Sequence, residues 1–211
     1  MRLTRADRLT TRFLRLLLAL TVVALAGAVA VQIVSGRVAA AAFVAAYLAW
    51  MLSEARITAG TPRQSATENR TLVCYAVVRV TTALTAAYAD PAVSVDAGVV
   101  LAGVFFAGAT IRAWAIRELG TRYSHRVVRI FDSDVVCSGP YRVLRHPAYA
   151  GMMLANAGFV GYFASPVSVA GLTLLTAAVL WRIRVEEDVL LRSPEYRQFA
   201  DNRNRLVPGV W

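Results

Sequence analysis

Lysine is absent from this chain of 211 residues, so all 23 of its basic side chains are arginines. Cysteine is nearly absent, with Cys74 and Cys137 far apart and in no CxxC pairing, which excludes a disulfide scaffold and a thiolate metal site. Only two histidines occur, and neither is spaced with other donors for a metal. Charged residues make up 17% against 57% hydrophobic ones, which excludes a disordered tail or a collagen-like chain. Acids number 13, leaving a net charge of +10. Such an excess suits either nucleic acid or an anionic lipid leaflet. The arginines sit between long apolar runs, so the membrane surface is the expected partner and nucleic acid is not. The Arg and Ala excess is that of a GC-rich genome, and the expected location is a bacterial plasma membrane.

What is abundant is apolar length. Leu16 to Gly36 carries no charge, nor does Val38 to Ser53, which can extend toward Ala59 if Glu54 and Arg56 snorkel to the headgroups. Thr71 to Ala89 is interrupted only by Arg79, and Ala97 to Ile111 is again charge-free. Pro147 to Trp181 is too long for one helix, and Gly158, Gly161, Ser165 and Pro166 supply a break. The expectation is an all-α, polytopic integral membrane protein of about six transmembrane helices, the last two a tight hairpin over 147–181. Arg79 and Asn156 are polar residues within these spans.

Arginine alternates between connections. Residues 1–15, 54–70, 112–145 and 182–205 are rich in it, whereas the connections at Asp90–Asp96 and Ser165–Pro166 have none. The positive-inside rule places both termini and the two large polar segments in the cytoplasm. The chain divides into 1–111, the N-terminal helices, and 112–211, the half with the large polar segments. In that half Gly120 is a plausible helix cap, Tyr123–Ile130 alternates weakly, and Asp132-Ser133-Asp134 and Ser138-Gly139-Pro140 read as turns. Pro194 can open a short helix carrying Tyr196 and Phe199.

The ends of the hairpin hold the candidate chemistry. At one end stands RHPAYAG. His146 precedes a proline and is biased away from helix, and Pro147 fits a first helical turn whose N–H groups favour an anion. At the other end RIRVEEDVL places Glu186, Glu187 and Asp188 directly after the membrane segment. Arg182 and Glu186 stand at i, i+4. Antiparallel packing brings both ends to one membrane face, where cation-binding and anion-binding groups suit a zwitterionic, partly cationic cofactor.

The strings SGPYRVLRHPAYAG, RIRVEEDVLL and EYRQFADNRNRLVPGVW together resemble the isoprenylcysteine carboxyl methyltransferase family, with elements shared by phospholipid N-methyltransferases. The resemblance covers about Arg112 to Trp211. It implies an integral-membrane methyltransferase using S-adenosylmethionine without a Rossmann domain, in keeping with the absence of a GxGxxG motif. By that resemblance Val135 and Val136 would meet the adenine, and Tyr141, His146, Tyr149 and Gly151 would line a cofactor pocket at the cytoplasmic face. Glu186 and Glu187 would complete it, with Glu187 also counted as catalytic. Arg145 is the candidate to orient an anionic acceptor, with Arg203 and Arg205 as further substrate-binding candidates. The implied substrate is a lipophilic acceptor entering from the bilayer, with an isoprenoid carboxylate as one form, and no metal is required. A membrane reductase of the steroid-reductase type using NADPH and a non-enzymatic scaffold or transporter are the competing readings.

Overall fold

The computed structural model describes residues 5–58, 66–120 and 135–209; the expected extended stretch at Tyr123–Ile130 and the turn at 132–134 lie outside them. Among the described residues seven α-helices follow one another: α1 (Arg5–Val34), α2 (Val38–Thr58), α3 (Ala66–Ala87), α4 (Val95–Leu119), α5 (Pro147–Tyr162), α6 (Pro166–Leu190) and α7 (Pro194–Asp201). A short 3-10 turn covers Gly139–Arg142.

The boundaries follow from local chemistry. Between α1 and α2 the chain turns at Gly36, whose φ of +74° suits a residue without a side chain. The Gly36 N–H donates to the Ile33 carbonyl and that of Arg37 to Gln32, closing the helix end in a Schellman pattern. Ser94 caps α4 by accepting from the Ala97 N–H, and Gly120 ends it at φ +53°, as expected. The hairpin breaks at Phe163–Ser165, where Ser165 and Ser168 form a reciprocal capping box and Pro166 opens α6. Ser193 and Pro194 start α7 in the same way. Gly158 and Gly161, expected at the hairpin break, instead lie within α5.

Packing pairs α4 with α5, α3 with α6, and α1 with α2 and α3. The central layer is aromatic: Phe43 meets Phe105 and Phe159 edge-on at 5.2 and 5.3 Å, and Tyr47 lies 4.3 Å from Phe159. Val23, Val99, Phe106 and Leu174 point outward, as lipid-facing side chains do.

Among the described residues four helices are long and apolar enough to cross a bilayer: α1 from Arg8, α2 to Ala55, α4 and α6. The protein is thus an all-helical membrane protein, but the expected count of six full crossings is not reached on length and composition. Helix α5 has 16 residues, roughly 24 Å at 1.5 Å each, against a hydrocarbon core of about 30 Å. Helix α3 carries Arg79 in its middle. Glu54 also departs from expectation. It does not snorkel outward but is buried against Arg79 and Arg112.

Candidate functional site

The ends of α5 and α6 meet as the hairpin dictates. His146 is the residue before α5, with backbone φ −126° and ψ 56°, because Pro147 keeps it out of the helix. The chain after α7 returns alongside it. The Arg145 N–H donates to the Asn204 carbonyl at 2.8 Å, the His146 N–H donates to that of Arg205 at 3.0 Å, and Leu144 bridges to Asn204 in parallel register. Thus the RHP segment is held in place by the far C-terminal segment.

Glu187 is the hub of this arrangement. Its carboxylate is buried, and Oε1 lies 3.2 Å from both Arg145 Nη1 and His146 Nε2. Oε2 accepts from Arg205 Nε at 2.6 Å. Arg145 is held at a second point, donating through Nε to the Arg203 carbonyl at 2.7 Å. Its two contacts therefore fall on the glutamate and the C-terminal segment.

Glu186 anchors a neighbouring network. Its Oε1 accepts from the Tyr149 hydroxyl at 2.6 Å, and Oε2 lies 4.0 Å from His146 Nδ1. Arg182, almost fully buried, donates through Nε to the Tyr149 oxygen at 2.8 Å and lies 3.3 Å from Glu186. Its Nη1 reaches the Thr71 hydroxyl at 3.2 Å, tying α3 to the cluster.

Beside these charges lies an apolar cluster. Ala115, Tyr141, Tyr196, Phe199 and Ala200 form its centre, with Val135, Val136, Ala148 and Leu190 packed against it. Among the described residues the Tyr196 hydroxyl, buried there, has no hydrogen-bond partner. Its burial, together with the negative charge of Glu187, pushes the phenol above its ordinary pKa, so it remains a neutral donor.

Arg145, His146, Tyr149, Glu186, Glu187 and Arg205 are therefore brought into one connected polar cluster, and Val135, Val136 and Tyr141 into the apolar cluster next to it. Arg203 stands at the margin, its guanidinium 4.4 Å over the Phe199 ring with Nη1 on the Phe199 carbonyl. Gly151 does not join them. A Cβ there would lie 2.6 Å from the Arg112 N and the Gly108 O, so the missing side chain makes room for α4, not for a cofactor. The first turn of α5 is also less open than expected, since the Tyr149 and Ala150 N–H groups both donate to the His146 carbonyl. Sequence reasoning missed Thr71 and Tyr196 as members of this site. It noticed the Arg182–Glu186 spacing, which was the available signal for Arg182.

A helical membrane protein with paired carboxylates beside an apolar cluster at the mouth of a hairpin is thereby defined. Residues 100–192 match the model of the isoprenylcysteine carboxyl methyltransferase (ICMT) family. A probable protein-S-isoprenylcysteine O-methyltransferase of Oryza sativa subsp. indica is 32% identical over 113 residues, covering 49% of this chain and 56% of the relative. Protein-S-isoprenylcysteine O-methyltransferase B of Arabidopsis thaliana is 28% identical over 109 residues, covering 49% and 53%. The chain spans about half the length of the curated relatives it matches.

Proposed function

We propose that this chain transfers a methyl group from S-adenosylmethionine to a lipophilic acceptor at the cytosolic boundary of the membrane. The observation that carries this reading is the convergence of His146, Tyr149, Glu186 and Glu187 beside the apolar cluster of Val135, Tyr141 and Tyr196. The residues fit such a cofactor on one direct count: the buried Tyr196 hydroxyl has a proton to donate and no partner among the described residues. Val135, Val136, Tyr141 and Tyr196 would hold the base, and Glu186 and Glu187 would accept from hydroxyl or ammonium groups.

S-adenosylmethionine supplies a methyl group on a sulfonium centre, and its transfer to a carboxylate breaks one S–C bond, forms one O–C bond and releases no proton. The protein then needs no general base. Its own side chains bind, align and keep water out. Arg145 and Arg205 neutralise Glu187 and fix its direction, and Arg182 pairs with Glu186 and orients the neutral Tyr149 hydroxyl. Both termini are placed in the cytoplasm by the arginine alternation. The acceptor class is that named for the plant relatives, a prenylated cysteine, or another lipid bearing an acid.

Calorimetry on the purified chain with S-adenosylhomocysteine and, separately, NADPH tests the cofactor. Binding of S-adenosylhomocysteine alone is the expected result, and binding of NADPH alone would establish the reductase reading instead. The transporter reading loses support from geometry: the Asn156 side chain is satisfied by Tyr47 at 3.0 Å and the Met152 carbonyl at 2.8 Å.

A further inference from the structure

Helix α3 lies outside residues 100–192, yet it reaches the carboxylate cluster. Thr71, Tyr75, Val78 and Thr82 recur at helical spacing and share one face of α3. Tyr75 and Val78 pack with Leu175, Val179 and Ile183 of α6 in one apolar cluster. At one end of this contact Thr82 faces Gly171 of α6, where a Cβ would lie 2.8 Å from the Thr82 Oγ1. The Thr82 hydroxyl donates to the Val78 carbonyl of its own helix at 2.7 Å. At the other end Thr71 is buried, and its Oγ1 accepts from Arg182 Nη1 at 3.2 Å.

Arg182 is itself buried, and its guanidinium is held through different nitrogens. Nη1 meets α3, and Nε donates to the Tyr149 oxygen of α5 at 2.8 Å. The nitrogens of a guanidinium share one rigid plane, so a contact at Nη1 sets the direction in which Nε points. Threonine suits this task. Branching at Cβ restricts χ1, which keeps the oxygen at a fixed place on α3. Glu186 needs no such help, since it pairs with Arg182 one turn away on the same helix. Tyr149 does need it, because it comes from α5 and its hydroxyl can rotate. With the Arg182 N–H on its oxygen, its own proton is directed to Glu186 Oε1 at 2.6 Å.

We propose that Thr71 is a positioning residue of the cofactor site, acting through Arg182 to aim Tyr149 at Glu186. This rests on the methyl-transfer reading, in which Tyr149 and Glu186 face the cofactor, and it gives the N-terminal half of the chain a share in cofactor binding. The effect is one of direction and not of charge. Thr71 is neutral, so its removal leaves the ion pair of Arg182 with Glu186 in place.

The test is titration of S-adenosylhomocysteine into the full chain in lipid nanodiscs, with a melting curve to establish that each variant is folded. Thr71→Val removes the oxygen at nearly constant volume and should lower affinity about three- to tenfold. Thr71→Ala, which leaves room for a water on Arg182 Nη1, should show the same loss, because a water does not fix the plane. Thr71→Ser restores the hydroxyl and should recover most of the affinity. Thr82→Val alters the same α3–α6 contact away from the carboxylates and should bind as the wild type does. In a Tyr149→Phe background Thr71→Val should cost at most about twofold, because the oxygen at which Arg182 aims is gone. Wild-type affinity in both Thr71→Val and Thr71→Ala overturns the proposal. So does an equal loss in Thr82→Val, or an undiminished further loss on top of Tyr149→Phe. Failure of the wild type to bind S-adenosylhomocysteine overturns the methyl-transfer reading and this assignment with it, whereas a binding wild type and an unaffected Thr71→Val overturn this assignment alone.

Discussion

The Tyr149 hydroxyl donates to Glu186 Oε1 at 2.6 Å, joining the first turn of α5 to the last turns of α6 across the mouth of the hairpin. The same oxygen accepts from Arg182, so Tyr149 sits between a cation and an anion. In Tyr149→Phe, Arg182 and Glu186 remain directly paired and the cluster keeps its net charge. Affinity for S-adenosylhomocysteine should fall by about tenfold, the low end for a lost charge-assisted hydrogen bond, with the thermal transition little changed. Titration calorimetry alongside a melting curve checks both.

Arg145 and Glu187 should behave as a unit. Glu187→Gln removes the carboxylate that Arg145 and Arg205 share, so cofactor-analogue affinity should drop about tenfold to a hundredfold. Because Arg145 is bound to Glu187, Arg145→Ala should lower S-adenosylhomocysteine affinity and single-turnover methyl transfer together. A loss confined to turnover would return Arg145 to the acceptor side.

Tyr196→Phe should act with opposite signs on stability and binding. Removing a buried hydroxyl that has no partner among the described residues should stabilise the ligand-free protein by about 1 kcal/mol, while weakening S-adenosylhomocysteine binding. The phenol is held above its ordinary pKa by burial and by Glu187, so this binding difference should be constant between about pH 6 and 9. Paired melting and binding curves across that range test it.

The α4–α5 contact should be intolerant of a single methyl group. A Cβ at Gly108 would lie 2.4 Å from the Ala155 backbone nitrogen, and one at Gly158 2.6 Å from the Leu101 carbonyl. Gly108→Ala and Gly158→Ala should each cost about 1–3 kcal/mol, read as an earlier thermal transition in detergent.

Much of this was legible because the signals are local. Charge-free runs, Ser-Pro junctions and Gly120 mark the helix ends, and the hairpin brings RHPAY and EED together by connectivity alone. What was not legible depends on three-dimensional pairing. Glu54 looked like a headgroup residue because nothing near it in sequence reveals Arg112, which is 58 positions away. Gly151 stands beside RHPAY in sequence, but an α-helix turns neighbouring residues to different faces, and its own face meets α4. Arg145 presented itself as an acceptor ligand because the return of residues 203–205 along it is a tertiary event.

The account is tested most directly by incubating the purified chain with methyl-labelled S-adenosylmethionine and a total lipid extract of its host, then treating the lipid fraction with mild base. The account expects label in the lipid fraction of the wild type, release of that label as methanol, and about tenfold or greater loss in Glu187→Gln. Lipid label no higher in the wild type than in Glu187→Gln would contradict it.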